Sequence, residues 1–283
     1  GALSATSMIG YDIYARPITV DGPLASTNDT TRTRYNMAGQ IGGVVSPDPE
    51  GTGALDNRAQ RITYNVDAQV SRVEQGTVDG QSDPAWANFV PLETVDIAYD
   101  GSARPIRQTL KGSDGNLYAV ADQSYDTVGR PECTALRMNP AVWATLTSAC
   151  ALQNPGANGP DRITRTSSDA ANQVTLVQTG YGVTGVEADE VATAYTDNGR
   201  ILHVTDAEDN RTTYEYDGHD RRVRTRFPVP TQGANQSSTT DFVERTLDPN
   251  GNVTNMRLRD GQSIAYGYDA LNRLTLKNLP GSG

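Results

Sequence analysis

The chain has 283 residues and a formal net charge of −10, with a sequence pI near 4.7. Leu, Ile, Val and Phe together supply 52 residues, about 18%, below the roughly 20% under which charged chains stay unfolded. No stretch approaches the roughly 18 apolar residues of a membrane helix, and the acidic balance argues against a nucleic-acid binder, whose phosphate contacts need local positive charge. A chain this poor in apolar residues is either unfolded or folds by pairing backbone in sheets and burying thin apolar layers.

Along the chain one heptad recurs. It begins as YDIYARP at Tyr11 with Arg16 in sixth place, then YNMAGQI at Tyr35, YNVDAQV at Tyr64 and YDGSARP at Tyr99 with Arg104. Next comes YDTVGRP, with Tyr125, Asp126, Gly129 and Arg130, followed by a decayed copy, SDAANQV, from Ser168. YTDNGRI carries Tyr195, Gly199 and Arg200; YDGHDRR starts at Tyr216; LDPNGNV starts at Leu247. The last unit, YDALNRL, holds Tyr268, Asp269, Asn272 and Arg273. The starts at 11, 35, 64, 99, 125, 168, 195, 216, 247 and 268 give a mean period of about 29 residues, the length of a supersecondary unit that leans on its neighbours for a core.

Each unit reads as a β-hairpin. Alternation before the Tyr, as in Thr213-Tyr214-Glu215-Tyr216, fits a strand. Asp or Asn in second place accepts hydrogen bonds from its own turn, and Gly, Asn or Asp in fifth place tolerates the positive φ of a bulged hairpin loop. Ala15, Ala68 and Ala103 fit that backbone less well, so those turns are expected to differ. Within each hairpin the Tyr ends one strand and the Arg begins the next, so a cation–π contact across the turn is expected.

Two insertions interrupt the array. Residues 76–94 carry Trp86 and Phe89, expected to cap an edge or pack on a neighbouring turn. Segment 131–160 holds both cysteines, and Asn139-Pro140 followed by Ala141 to Leu146 reads as an N-cap with Pro at the first helical position. Cys133 and Cys150 enclose a short loop that a disulfide would staple, given an oxidising compartment; two partly buried free thiols are the alternative. The chain opens at Gly1 with neither an initiator Met nor a signal peptide, which reads as the start of a mature fragment.

This pattern resembles the RHS, or YD-repeat, family, whose units carry a Tyr-Asp, two or three residues, then Gly-Arg and an apolar residue. Tyr125, Asp126, Gly129 and Arg130 match fully, Tyr268, Asp269, Asn272 and Arg273 nearly so, and the resemblance spans roughly residues 11–276. It implies an all-β array of antiparallel hairpins over the whole of 1–283, joined in one continuous curved sheet, part of a hollow shell. In bacterial members such a shell encloses a C-terminal toxin; in the animal relatives, the teneurins, it serves cell adhesion. The implied partners are the rest of the shell and a toxin cargo, and the implied location is secreted or cell-surface. A carbohydrate- or cell-surface-binding module is the alternative, since Tyr and Arg suit sugar faces.

Catalytic chemistry is not legible. His203 lies in an alternating strand and His219 in a turn, no nucleophile elbow is present, and the acidic residues sit where turns demand them, so neither catalysis nor a cofactor is expected. Asp48, Asp83 and Asp248 each precede Pro and read as turns. The chain carries 22 Arg against 2 Lys, a bias that Tyr–Arg contacts or genomic base composition would each produce. Arg222, Arg224 and Arg226 would line one face of a strand, offering a polyanion contact or, more blandly, partners for Glu215 and Glu244.

Overall fold

The computed structural model describes residues 6–24, 29–50 and 54–281. Its strands belong to one antiparallel sheet of twenty, so the all-β hairpin array expected from the repeat is present. The contacts divide the chain into two compact units: Gly1–Ser124 with Ala135–Ala149 and Gln153–Asp161, and Tyr125–Thr134 with Cys150–Leu152 and Arg162–Gly283.

The first unit is a meander of β1 (Met8–Tyr11), β2 (Pro17–Asp21), β3 (Thr31–Tyr35), β4 (Ile41–Val45), β5 (Asn57–Tyr64), β6 (Val70–Val78), β7 (Val90–Tyr99), β8 (Pro105–Gly112) and β9 (Leu117–Tyr125). Each strand pairs with the next. Strand β10 (Pro131–Leu136) contributes residues to both units. In the second unit β11 (Arg162–Ser168), β12 (Val174–Thr179), β13 (Ala188–Tyr195), β14 (Ile201–Asp206) and β15 (Arg211–Tyr216) are followed by β16 (Arg222–Pro228), β17 (Ser237–Leu247), β18 (Val253–Arg257), β19 (Ser263–Tyr268) and β20 (Leu274–Asn278). These too pair in sequence order.

The heptad is the hairpin turn. The second-position N–H donates to the sixth-position carbonyl and the fifth-position N–H back to the second-position carbonyl, as in Asp126 with Arg130 and Gly129 with Asp126. This is a type I turn closed by a left-handed residue, the loop that demands a bulge. The ladder accordingly shifts register at Tyr11, Tyr35, Tyr64, Tyr99, Tyr195, Tyr216 and Tyr268, and at the decayed positions Ser168 and Leu247. The alanine turns do not differ: Ala15, Ala68 and Ala103 hold φ of 59°, 62° and 65°, beside 91° at Gly129 and 60° at Asn272. The two flanking backbone hydrogen bonds outweigh the roughly 1–2 kcal/mol that a Cβ costs in this region.

Insertion 76–94 supplies the main apolar layer of the first unit. Asp83-Pro84 is not a simple turn but opens a helix, α1 (Asp83–Ala87), because the Ser82 side chain accepts from Ala85 N–H and Pro84 occupies the first turn. The helix lays Trp86 and Phe89 on the sheet, their ring centroids 5.6 Å apart, over Val45, Ala59 and Val78. Two glycines clear the space. A Cβ on Gly43 would lie 2.2 Å from the Trp86 ring, and one on Gly76 would lie 2.1 Å from the Val90 carbonyl oxygen. Arg34 fastens the helix from the sheet, donating to the carbonyls of Gln81 and Ser82 and pairing with Asp83.

The segment at 131–160, expected to hold a short helix or helical turn, holds a helical turn beside a strand. Residues Pro131–Leu136 are strand β10, and the helical part is one 3-10 turn, Pro140–Val142, capped by the Asn139 side chain accepting from Ala141 N–H. Pro155-Gly156 and the Asn158-Gly159-Pro160 turn then return the chain to β11.

Candidate functional site

The repeated turn is a small hydrogen-bonded device. Asp126 Oδ1 accepts from the N–H groups of Val128 and Arg130, at 3.0 and 2.9 Å, while Oδ2 accepts from Arg130 Nε at 2.6 Å. Asp12–Arg16, Asp100–Arg104, Asp217–Arg221 and Asp269–Arg273 repeat the clamp. Where the second position is Asn the sixth is Gln, and the amides pair instead: Asn36 with Gln40 at 2.9 Å and Asn65 with Gln69 at 3.0 Å. The sixth-position Arg therefore binds the second-position Asp, not the Tyr of its own hairpin as the sequence suggested. Two charge-assisted bonds to a carboxylate outweigh a cation–π contact of about 0.5–1 kcal/mol. Arg16 lies 4.5 Å from the centroid of Tyr35 in the next unit and 5.1 Å from that of Tyr14 in its own turn.

Neighbouring turns are sewn together in both directions. Six repeat tyrosines send their hydroxyls back to the seventh-position carbonyl of the preceding unit: Tyr35 to Pro17, Tyr64 to Ile41, Tyr99 to Val70, Tyr195 to Val174, Tyr216 to Ile201 and Tyr268 to Val253. The sixth-position side chain reaches forward. Gln40, Gln69 and Gln173 donate to the fifth-position carbonyls Ala68, Ala103 and Gly199, and Arg130 and Arg221 donate to the second-position carbonyls Asp169 and Asp248. Each such bond contributes a modest net stabilisation of about 0.5–1.5 kcal/mol, so one heptad favours another beside it. Tyr99→Phe removes only the hydroxyl, whose bond to the Val70 carbonyl is 2.8 Å. It should lower stability by about 1 kcal/mol, read as a reduced denaturation midpoint; an unchanged midpoint would remove the stitch from the energetics.

The clamps also set an acid limit. The Arg104 side chain, then its N–H, holds Asp100 below the ordinary carboxylate range; the Arg130 and Arg273 N–H groups lead in doing so for Asp126 and Asp269. Because the folded pKa is depressed, this stabilisation is fully present above the unfolded pKa of about 3.9 and disappears as pH falls through the lower folded value. Thermal melts should therefore fall steeply below about pH 4. The double change Asp126→Asn with Arg130→Gln, which copies the amide turns, should flatten that limb; melts that track the parent's at every pH would refute the assignment.

A second constellation, in the first unit, was not legible as a site in the sequence. Arg137 is 1% exposed and its guanidinium donates to Asp122 Oδ2 at 2.6 Å, Asp161 Oδ2 at 2.7 Å and the Ser148 carbonyl at 2.8 Å. Arg107 binds the same Asp122 in a two-point pair at 2.6 and 2.9 Å and donates to the carbonyls of Trp143 and Thr145. Asp161 also accepts from the N–H groups of Met138 and Gln153, and the Trp143 indole donates to the Arg137 carbonyl. A usable signal did exist: Cys133, Ala135 and Arg137 alternate on β10 and beyond, and all three are buried, so one face of small residues ends on an Arg. These bonds tie the segment after β10 back to the sheet and so order that loop.

In the second unit Cys133 and Cys150 form a disulfide with Cα atoms 5.2 Å apart. The metal-like grouping Glu132, Cys133 and Cys150 is thereby accounted for, since both sulfurs are bonded to each other. Glu132 pairs with Arg165 at 3.1 Å, and Arg165 also donates to the Tyr181 hydroxyl. The arginines of β16 do not act alike. Arg224 bridges Glu215 and Glu244, Arg226 binds Glu215, and both lie by the Phe242 ring. Arg222 instead rests 5.3 Å from the Tyr214 centroid. His203 is partly buried, and desolvation followed by the nearby Arg211 charge lowers its pKa, which keeps it neutral; His219 sits in an exposed turn. The oxygens of Asp206 accept from Glu208 and Asn210 within their own turn.

Stitched antiparallel hairpins, with a polar clamp recurring in their turns, define a β-repeat protein. A family model described as RHS Repeat matches residues 195–228 and 248–281. Among solved structures, the crystal structure of TcdB2-TccC3 aligns with TM-score 0.45 and 16% identity over 95% of this chain. The Photorhabdus luminescens Tc holotoxin pore aligns with TM-score 0.44 and 15% identity, also over 95%. The chain spans 14% and 13% of the length of those two proteins. No curated protein matches the sequence.

Proposed function

We propose that this chain is a non-catalytic structural segment of an RHS-type β-shell that encloses or displays a toxin in a secreted or surface-delivered bacterial system. The observation that carries it is the reciprocal stitching of successive turns. Six repeat tyrosine hydroxyls and five sixth-position side chains bond the neighbouring unit, which is how an extended wall, rather than a compact catalytic domain, holds its spacing. The carboxylates of the repeat turns and of the Arg137 cluster are engaged by their own arginines and backbone N–H groups. A disulfide accords with an oxidising destination. The alternative of a carbohydrate- or cell-surface-binding module gains nothing from the six repeat tyrosines whose hydroxyls are committed to backbone carbonyls.

Protease protection tests this. In the native full-length protein carrying the array, enclosed segments should resist trypsin until the array unfolds, and Arg137→Met should lower the denaturant concentration at which they are cut. Rapid cutting of every segment outside an intact array would refute enclosure. A purified array that turned over substrate and lost that activity with its fold intact on Arg107→Gln would refute the non-catalytic reading.

A further inference from the structure

The unit at Tyr195 breaks the clamp rule, and the break leaves a guanidinium available. Five of the six motif arginines are held by an Asp four residues earlier. At Arg200 that place is Thr196, whose hydroxyl accepts the Arg200 N–H at 3.1 Å and so preserves the turn without neutralising the side chain. The nearest carboxylate, Asp220, is 4.0 Å away, and the Arg200 side chain is 55% exposed, a contact worth little in water. Asp220 is itself engaged by the Asn198 side-chain amide at 3.0 Å.

A second such guanidinium faces the same space. Arg222 starts β16, and unlike Arg224 and Arg226 it has no carboxylate within ion-pair distance among the described residues; its partner is the Tyr214 ring. Arg200, Arg222, Tyr214, Tyr216, Ile201 and Asp220 line one open groove of about 450 Å³, within the roughly 300–1,000 Å³ of small-molecule sites. Two guanidiniums against one carboxylate leave it net positive in an acidic protein.

The repeat supplies an internal comparison. The corresponding groove beside Arg130, lined also by Val128, Pro131 and Asn172, has no available guanidinium, because Asp126, the Asp169 carbonyl and Asn172 bind Arg130. The same backbone thus makes a neutralised groove at one unit and a cationic, tyrosine-walled one at another.

We propose that the Arg200–Arg222 groove binds a small oxyanion carried on a flat ring, an aryl carboxylate or aryl phosphate. The guanidiniums take the oxyanion, as planar forked donors do, and the tyrosine faces take the ring. The site is separate from the shell role and does not depend on it.

The test uses the whole chain at about 0.01 M ionic strength, where the screening length is about 30 Å. Benzoate, phenyl phosphate and inorganic phosphate are titrated while the arginine Nε–H resonances are followed by NMR. Saturable shifts at Arg200 and Arg222 with benzoate or phenyl phosphate are expected, and the tighter of the two names the oxyanion. Thr196→Asp restores the clamp on Arg200 and should weaken binding at least about tenfold with no loss of melting temperature; Arg222→Gln should weaken it similarly. No saturable shift with either aryl probe overturns the proposal, as does wild-type affinity in a folded Thr196→Asp. Inorganic phosphate binding as tightly as phenyl phosphate overturns the recognition of a ring.

Discussion

Arg137→Met should destabilise the protein by about 3–5 kcal/mol, the cost of breaking a buried ion pair by removing one partner. The side chains of Arg137, Asp122 and Asp161 are no more than 2% exposed, so loss of the guanidinium leaves carboxylates without water to replace it. Asp122 retains Arg107, but Asp161 keeps only the N–H groups of Met138 and Gln153. Adding Asp161→Asn should therefore recover part of the loss, because the neutral amide removes the unpaired buried charge, while its single oxygen accepts from one of those two N–H groups, which sit on different oxygens of Asp161. Urea denaturation of the wild type and of the single and double variants measures both effects. A single variant within about 1 kcal/mol of wild type would mean the cluster behaves as a surface pair and that water reaches it.

Reduction of Cys133–Cys150 should cost about 2–4 kcal/mol, the second largest effect of a local change. The bridge spans 17 residues, and a loop near that length gives roughly 3 kcal/mol on the chain-entropy view. Cys133 is 1% exposed, so a mild reductant should act slowly on the folded protein and quickly once it opens. Cys133→Ala with Cys150→Ala should match the reduced protein in stability, since both lose the same cross-link. An oxidised and a reduced form with equal denaturation midpoints would show that the ladders alone fix this segment.

The short-range physics of each turn was legible from the order of residues. The second-position Asp or Asn and the fifth-position Gly or Asn act within five residues, so the turn, its bulge and the hairpin on either side of Tyr125–Arg130 follow from local hydrogen bonding and allowed φ. Even so, local propensity misjudged Ala15, Ala68 and Ala103, because two backbone hydrogen bonds per turn impose a conformation that Ala would not choose alone. The pairing of Asp with Arg and Asn with Gln at positions two and six was present in the letters, but a heptad read as Tyr meeting Arg hides it. Which groups meet at four residues' separation depends on the turn's closure.

What only the tertiary structure decided is what lies between hairpins. Helix α1 owes its place to Trp86 fitting over Gly43 of β4 and to Phe89 beside Gly76 of β6, the first of them a contact between residues far apart in sequence. Arg137 reaches Asp122 and Asp161 only because the chain after β10 folds back, and Thr196 matters only because Arg222 of the next hairpin borders the same groove. Sequence by itself determined the repeating unit, since its forces act within a few residues; the tertiary structure decided where charge is buried and where it is left open, since those depend on which distant residues exclude water.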